Sequence, residues 1–163
     1  ACKAKKITSL ARAISEEMKK ETTLDGDPNG GQVDAFRHAY WMALLSQKMP
    51  CRKALSLGSA HEKGDYKIFK KGKTDEENIL PDSISGVMDL FNNEIGSAIG
   101  CQNKNLNQDS LKSVIRSSVV QGKMKILLKN NKGEFLDCAG KILDPTIFKN
   151  TWIIPKCLVQ SSL

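Results

Sequence analysis

Two histidines are all that this chain of 163 residues contains, so any imidazole chemistry rests on His38 and His61. Other signals are missing altogether. No run of eighteen or more apolar residues occurs, and no segment reads as a membrane-spanning helix. No two of the five cysteines have CxxC spacing, which argues against a zinc knuckle or a thioredoxin-type motif. There is no GxSxG elbow, no Walker loop and no dinucleotide fingerprint, so the commonest serine-hydrolase and nucleotide-binding readings fall away. Internal repeats and low-complexity tracts are absent. Acidic residues thin out towards the end. From Leu111 to Leu163 nine Lys and Arg face three Asp and Glu, within a formal net charge of +7 for the chain.

What is present is ordinary in bulk. A content of 40% hydrophobic and 26% charged residues is that of a soluble globular protein, and the length suits one domain with a real core, 1–163. Within it we expect a helical core at about 31–100 and a basic part at 111–163. A basic third favours anionic partners, such as a membrane surface, a cell-wall polymer or an acidic protein, with nucleic acid less favoured; the plainer reading is a solvated lysine-rich face. Cys2, Cys51, Cys101, Cys138 and Cys157 are widely scattered. That pattern fits one or two long-range disulfides in an oxidising compartment, with Cys2 left over as a thiol or as a lipoprotein-type lipidated cysteine. The alternative is five buried, reduced cysteines. The expected location is secreted or periplasmic.

Periodicity predicts a mainly α bundle of about five helices with a small C-terminal β-hairpin. Ile7, Leu10, Ala11, Ile14 and Met18 recur at helical spacing, giving a helix from Ile7 to Glu21. A turn-rich segment at 25–31 precedes a second helix from about Gln32 to Lys48, ended by Pro50. A third, shorter helix starts near Arg52 and delivers His61 and Glu62 near its end. Gly64 to Pro81 reads as a long loop, basic and then acidic at Asp75, Glu76 and Glu77. Asp82 or Ser83 caps a fourth helix whose apolar face is Ile84, Val87, Met88, Phe91, Ile95 and Ala98. A fifth starts near Asp109. Lys123 to Leu128 and Glu134 to Cys138 read as the hairpin strands, around a turn at 130–133. The apolar tail from Ile142 to Val159 is expected to pack back on the helices.

Three polar clusters interrupt segments that otherwise read as buried helix: Asp34-Ala35-Phe36-Arg37-His38-Ala39-Tyr40-Trp41, then Ala60-His61-Glu62, then Met88-Asp89-Leu90-Phe91-Asn92-Asn93. Buried polar groups are costly unless paired, so the clusters are expected to meet. Asp34 and His38 are four apart and share a helix face, as do Asp89 and Asn93. Arg37 could neutralise Asp34 or hold an anion. Three roles stay open. His38 or His61 is a general base activating water, oriented by Asp34 or Asp89. Alternatively His38, His61 and Asp89, with Glu62 nearby, bind one divalent metal. Or the cluster is structural and locks helix packing. Ser59, Ser83, Ser85, Ser97 and Cys51 lack the context of a nucleophile.

The ordering His, His-acid, Asp on successive helices resembles metal phosphohydrolases of the HD type, although the acid beside His61 is Glu62. The three motifs together resemble an uncharacterised bacterial domain family with the pattern D-A-x-R-H-A-x-W, then H-E, then M-D-x-x-N-N-x-x-G. The likeness covers about Gly31 to Gly100, with a longer stretch between the second and third motifs than the pattern has. Such domains occur as standalone secreted proteins and as C-terminal modules of large toxin-like proteins. The resemblance implies Asp34, Arg37, His38, His61, Glu62, Asp89, Asn92 and Asn93 as the site. A likeness to secreted phospholipases A2 fails at Ala39, where their His-Asp pair would need an acid. The expectation is a secreted hydrolase or effector acting on a cell-envelope or phosphate-containing substrate. Asp34, His38, His61, Glu62 and Asp89 would be catalytic. Arg37, Trp41, Asn92 and Asn93 would bind substrate. A cognate immunity or inhibitor protein is an expected partner. The rival is a non-catalytic module that binds an anionic surface or an acidic protein.

Overall fold

A computed structural model describes residues 2–74 and 79–162, with the side chains of Cys2 and Lys3 left aside. The expected acidic stretch Asp75–Glu77 and the role given to the Cys2 side chain therefore lie outside the described residues. The elements run α1 Cys2–Met18, α2 Gln32–Lys48, α3 Cys51–Lys70, α4 Ser83–Gln102, α5 Gln108–Val120, β1 Lys125–Leu127 and β2 Leu158–Gln160. The architecture is mainly α with a small antiparallel pair of strands, as the periodicity predicts.

α2 is the centre of the molecule and touches each of the other four helices. Its sequence is apolar on most sides, and from Val33 to Ser46 only Arg37 and Trp41 are more than marginally exposed. One side of α2 presents Val33, Phe36, Tyr40 and Leu44 to Ala11 and Met18 of α1, to Leu111, Ile115 and Val119 of α5, and to Met124 and Ile126. Burying such side chains contributes roughly 1.5–3 kcal/mol each before chain entropy is set against it. A neighbouring face sets Ala39 and Ala43 against Gly96 and Gly100 of α4, and the far side carries Asp34 and His38 towards α3 and α4.

α4 meets α2 through small and polar residues. Met88, Asn92, Asn93, Gly96, Ser97 and Gly100 are buried, whereas Val87 and Ala98 are exposed. This corrects the expected apolar face of α4. The reason is backbone proximity: a Cβ at Gly96 would collide with the backbone of Ala39, and one at Gly100 with that of Ala43. Two helices that approach this closely need glycine on one side and alanine on the other, and the sealed Ser46 and Ser97 hydroxyls bond each other at 2.8 Å.

Three further expectations are revised. α1 begins earlier and ends at Met18. α3 runs on through Gly64 to Lys70, which places His61 and Glu62 mid-helix and shortens the predicted loop. A lone glycine costs a helix only about 1 kcal/mol, and here packing outweighs it. The predicted turn at 130–133 forms, with single bridges Lys129↔Phe135 and Leu136↔Ile142. The partner of β1 is nevertheless β2, in the register Ile126↔Val159, and not Glu134–Cys138. In the tail, Trp152 packs edge-on against Tyr66 and beside Phe69, while Ile153 stays 71% exposed.

Two disulfides tie the chain. Cys51–Cys101 joins the start of α3 to the end of α4, and Cys138–Cys157 closes the C-terminal part. They suit an oxidising compartment. No helix among the described residues is long and apolar enough to cross a membrane.

Candidate functional site

Three helices bring the predicted residues together. α2 supplies Asp34, Arg37 and His38, α3 supplies His61 and Glu62, and α4 supplies Asp89 and Asn93. Arg37 Nη2 donates to Asp34 Oδ1 at 2.5 Å and lies 3.3 Å from His38 Nε2. His38 Nε2 is 3.6 Å from Asp34 Oδ1 and 3.4 Å from Asp89 Oδ1. The second carboxylate oxygen of Asp34 accepts the Gly30 N–H at 2.7 Å. Gly30 has φ +81°, and its carbonyl accepts from Leu127 N, so β1 steadies the turn that holds Asp34. Across the site Asn93 Nδ2 donates to Glu62 Oε1 at 3.5 Å. The rings of His38 and His61 lie 6.5 Å apart, and Trp41 meets His61 edge-on at 5.6 Å.

The cluster is open to solvent on two sides. A cavity of about 540 Å³ is lined by His38, Trp41, His61 and Arg12 among others. A second, of about 460 Å³, is lined by Asp34, Glu62, Tyr66, Leu80 and Trp152 among others. Arg37, Asp65 and Asp89 line both, so the two meet at these residues. His61 is exposed while His38 is 7% exposed.

Electrostatics follow from this burial. Burial pushes the carboxyl of Asp89 well above the ordinary range, and the charges of Asp34 and Glu62 push it further. Burial, then Asp65 and Asp34, raise Glu62 to about 8. Burial also raises Asp34, against the pull of Arg37 and the Gly30 N–H. His38 moves the other way, well below its usual value, because burial and the nearby Arg37 and His61 disfavour its cation; the Asn93 amide opposes them. Four buried atoms of the cluster take no hydrogen bond among the described residues: His38 Nδ1, Glu62 Oε2, Asp89 Oδ1 and Asn93 Oδ1. Unsatisfied buried polar atoms are rare in folded proteins, and here four gather in one place.

Two predicted roles change. Asn92 does not reach the site. It is fully buried and clamps β1, donating to Lys125 O and accepting from Lys125 N, each at 2.9 Å. The predicted metal set His38, His61 and Asp89 is divided. His38 and Asp89 group with Asp34, while His61 groups with Glu62 and Asp65. Asp65 was missed because the helix was ended at Gly64; its spacing of four from His61 is the signal that would have found it. Arg12 and Trp152 reach the cavities from distant parts of the chain, and no local pattern announces them.

Residues 1–123 match the family described as a domain of unknown function, DUF6973. The chain belongs to this family. The match takes in all five helices and every residue of the cluster, and stops short of β1. No curated protein and no solved structure matches the chain.

Proposed function

We propose that this member of the DUF6973 family is a hydrolase that activates water at the meeting point of the two cavities. The observation that carries the reading is the convergence of Asp34, Arg37, His38, Glu62 and Asp89, from three helices, on solvent-connected space. Asp34, His38 and Asp89 would orient and activate the water. Glu62 and His61 line the two adjoining cavities and would carry protons, and a carboxyl raised to about 8 is suited to donating to a leaving group near neutral pH. Arg37 faces both cavities and would meet an anionic group of the substrate. The wall formed by Tyr66, Leu80 and Trp152 would accept an apolar portion. A phosphate-containing or other cell-envelope substrate fits these demands, and the disulfides fit a secreted or periplasmic effector of a bacterium, with an immunity-type inhibitor as partner.

The binding-module reading has less support. Of the nine basic residues in the last third, Lys129 pairs with Asp27, Lys156 with Asp82, Arg116 with Glu21 and Lys112 with Glu17. Lys129 and Lys156 are 14% and 7% exposed and also lie over the Phe135 ring. Lys129 and Lys156 are thus turned inward, whereas Lys123, Lys132, Lys141 and Lys149 stay exposed.

The test is turnover of fluorogenic phosphodiesters, phospholipid vesicles and peptidoglycan fragments. His38→Ala should lower kcat by about 100-fold or more with a near-native melting temperature. Full activity in that variant, or loss of function on charge reversal at Lys123 and Lys125 alone, would replace the hydrolase with the binding module.

A further inference from the structure

The geometry points to a divalent metal ion held by Asp34 Oδ1, His38 Nε2 and Asp89 Oδ1; this rests on the same site as the hydrolase reading and names how water would be activated there. The edges of the triangle carry the argument. His38 Nε2 stands 3.6 Å from one carboxylate oxygen and 3.4 Å from the other. An ion with tetrahedral bonds of about 2.1 Å separates its ligand atoms by roughly 3.4 Å. One ligand atom from each of Asp34, His38 and Asp89 lies within 4.8 Å of the other two, so the three face one space that an ion could draw together. N–H···O partners usually sit about 2.7–3.2 Å apart, so both separations lie a little beyond a well-formed hydrogen bond.

One of the three proposed ligand atoms, Asp89 Oδ1, is buried and takes no hydrogen bond among the described residues, which is a second indication. His38 is more than nine-tenths buried, lines the larger cavity, and its Nδ1 takes no hydrogen bond among the described residues. Asn93 Oδ1 is likewise without a hydrogen bond. An ion on Nε2 would fix the proton on Nδ1, where Asn93 Oδ1 could accept it. A metal-bound imidazole usually has such a partner behind it. Mixed imidazole and carboxylate ligands favour zinc or manganese over calcium.

Arg37 already engages the atoms that the ion would take. Its Nη2 bonds Asp34 Oδ1 at 2.5 Å and sits 3.3 Å from His38 Nε2. A guanidinium there offsets the carboxylates in the way a metal ion would. The ion would displace it from Asp34, and Arg37, which lines both cavities, would turn to the substrate's anionic group. Arg37 is thus a competitor of the ion and not its ligand, which sets an unusual sign for its variant.

Metal-depleted protein would be titrated calorimetrically with zinc chloride and with manganese chloride, with no substrate present. One equivalent should bind. Asp89→Asn should weaken it at least tenfold, and Arg37→Gln should bind as tightly as wild type or more tightly. Circular dichroism would confirm that the variants fold; should Asp89→Asn not fold, Asp34→Asn serves in its place. Cobalt(II) added to wild type gives a readout that needs no variant, since imidazole ligation at a four-coordinate site yields strong visible bands. No binding, binding unchanged in Asp89→Asn, or binding abolished only by His61→Ala would overturn the inference. Hydrolysis at full rate in chelator-treated protein would also overturn it while leaving the hydrolase standing. The predicted metal binding without turnover of any substrate would keep the ion and remove the hydrolase.

Discussion

Glu62 shows how far one residue's surroundings can move its chemistry. Its carboxyl is mid-helix on α3, next to Asp65, with Asp34 and Arg37 facing it from α2 and Asn93 from α4. Its folded pKa is about 8 against an ordinary 4.5. The folded state thus holds the proton more tightly than the unfolded chain. The resulting stabilisation is complete below about pH 4.5 and is lost as pH climbs through 8. A Glu62→Gln variant, which mimics the protonated form, should flatten the fall in stability over that window by at most about 1.4 kcal/mol per pH unit. Chemical denaturation at pH 5, 7 and 9 checks this, and equal slopes in the two proteins would refute it. Asn92 makes the opposite prediction. Its bonds to Lys125 are wholly structural, so Asn92→Ala should cost about 2–4 kcal/mol, from buried backbone groups left unpaired. Any activity that survives should keep its KM.

At the level of elements, the α2–α4 contact decides where the site lies. The Gly96–Gly100 strip lets α4 settle directly on Ala39 and Ala43, and this brings Asp89 and Asn93 level with His38. Gly96→Ala should cost about 3 kcal/mol or more, since the intruding methyl meets backbone that cannot turn aside. A melting temperature within a degree or two of wild type would show that the helices are not so closely set. Periodicity predicted α2 to the residue and placed α4 correctly, because Pro50 and the Asp82 cap are local signals. It misjudged which face of α4 is inward. Counting apolar residues selects Val87 and Ala98, whereas the real contact selects for small size. The end of α3 is misjudged for a related reason: a glycine is a local stop signal, whereas the turn beyond it gains Trp152 of the tail, which packs on Tyr66 and Phe69.

For the whole molecule, the Cys51–Cys101 bond spans 50 residues and encloses both α3 and α4. Cross-linking a loop of that length stabilises by about 4 kcal/mol in the chain-entropy treatment. A Cys51→Ser, Cys101→Ser double variant should lose stability on that order in denaturant titrations. Its site would loosen as well, because α3 carries Glu62 and α4 carries Asp89. Retained stability in reductant would contradict this. The C-terminal part acts at the same scale. β1 bonds Asn92 and Gly30, β2 pairs with β1, and Gln32 Nε2 donates to Ser161 O, so residues beyond the family match hold both α2 and α4.

The order of residues alone determined the helical class, the central helix and the three clusters that meet, since these follow from spacing along the chain and from the penalty on burying lone polar groups. It also singled out Asp34, Arg37, His38, His61, Glu62, Asp89 and Asn93. Tertiary structure decided which of them lie together. Sequence periodicity orients a side chain about its own helix axis, but distances between atoms on different helices depend on how closely the backbones approach. That approach, set by Gly96 and Gly100 against Ala39 and Ala43, grouped His38 with Asp34 and Asp89, left His61 with Asp65, and gave Asn92 to the strand.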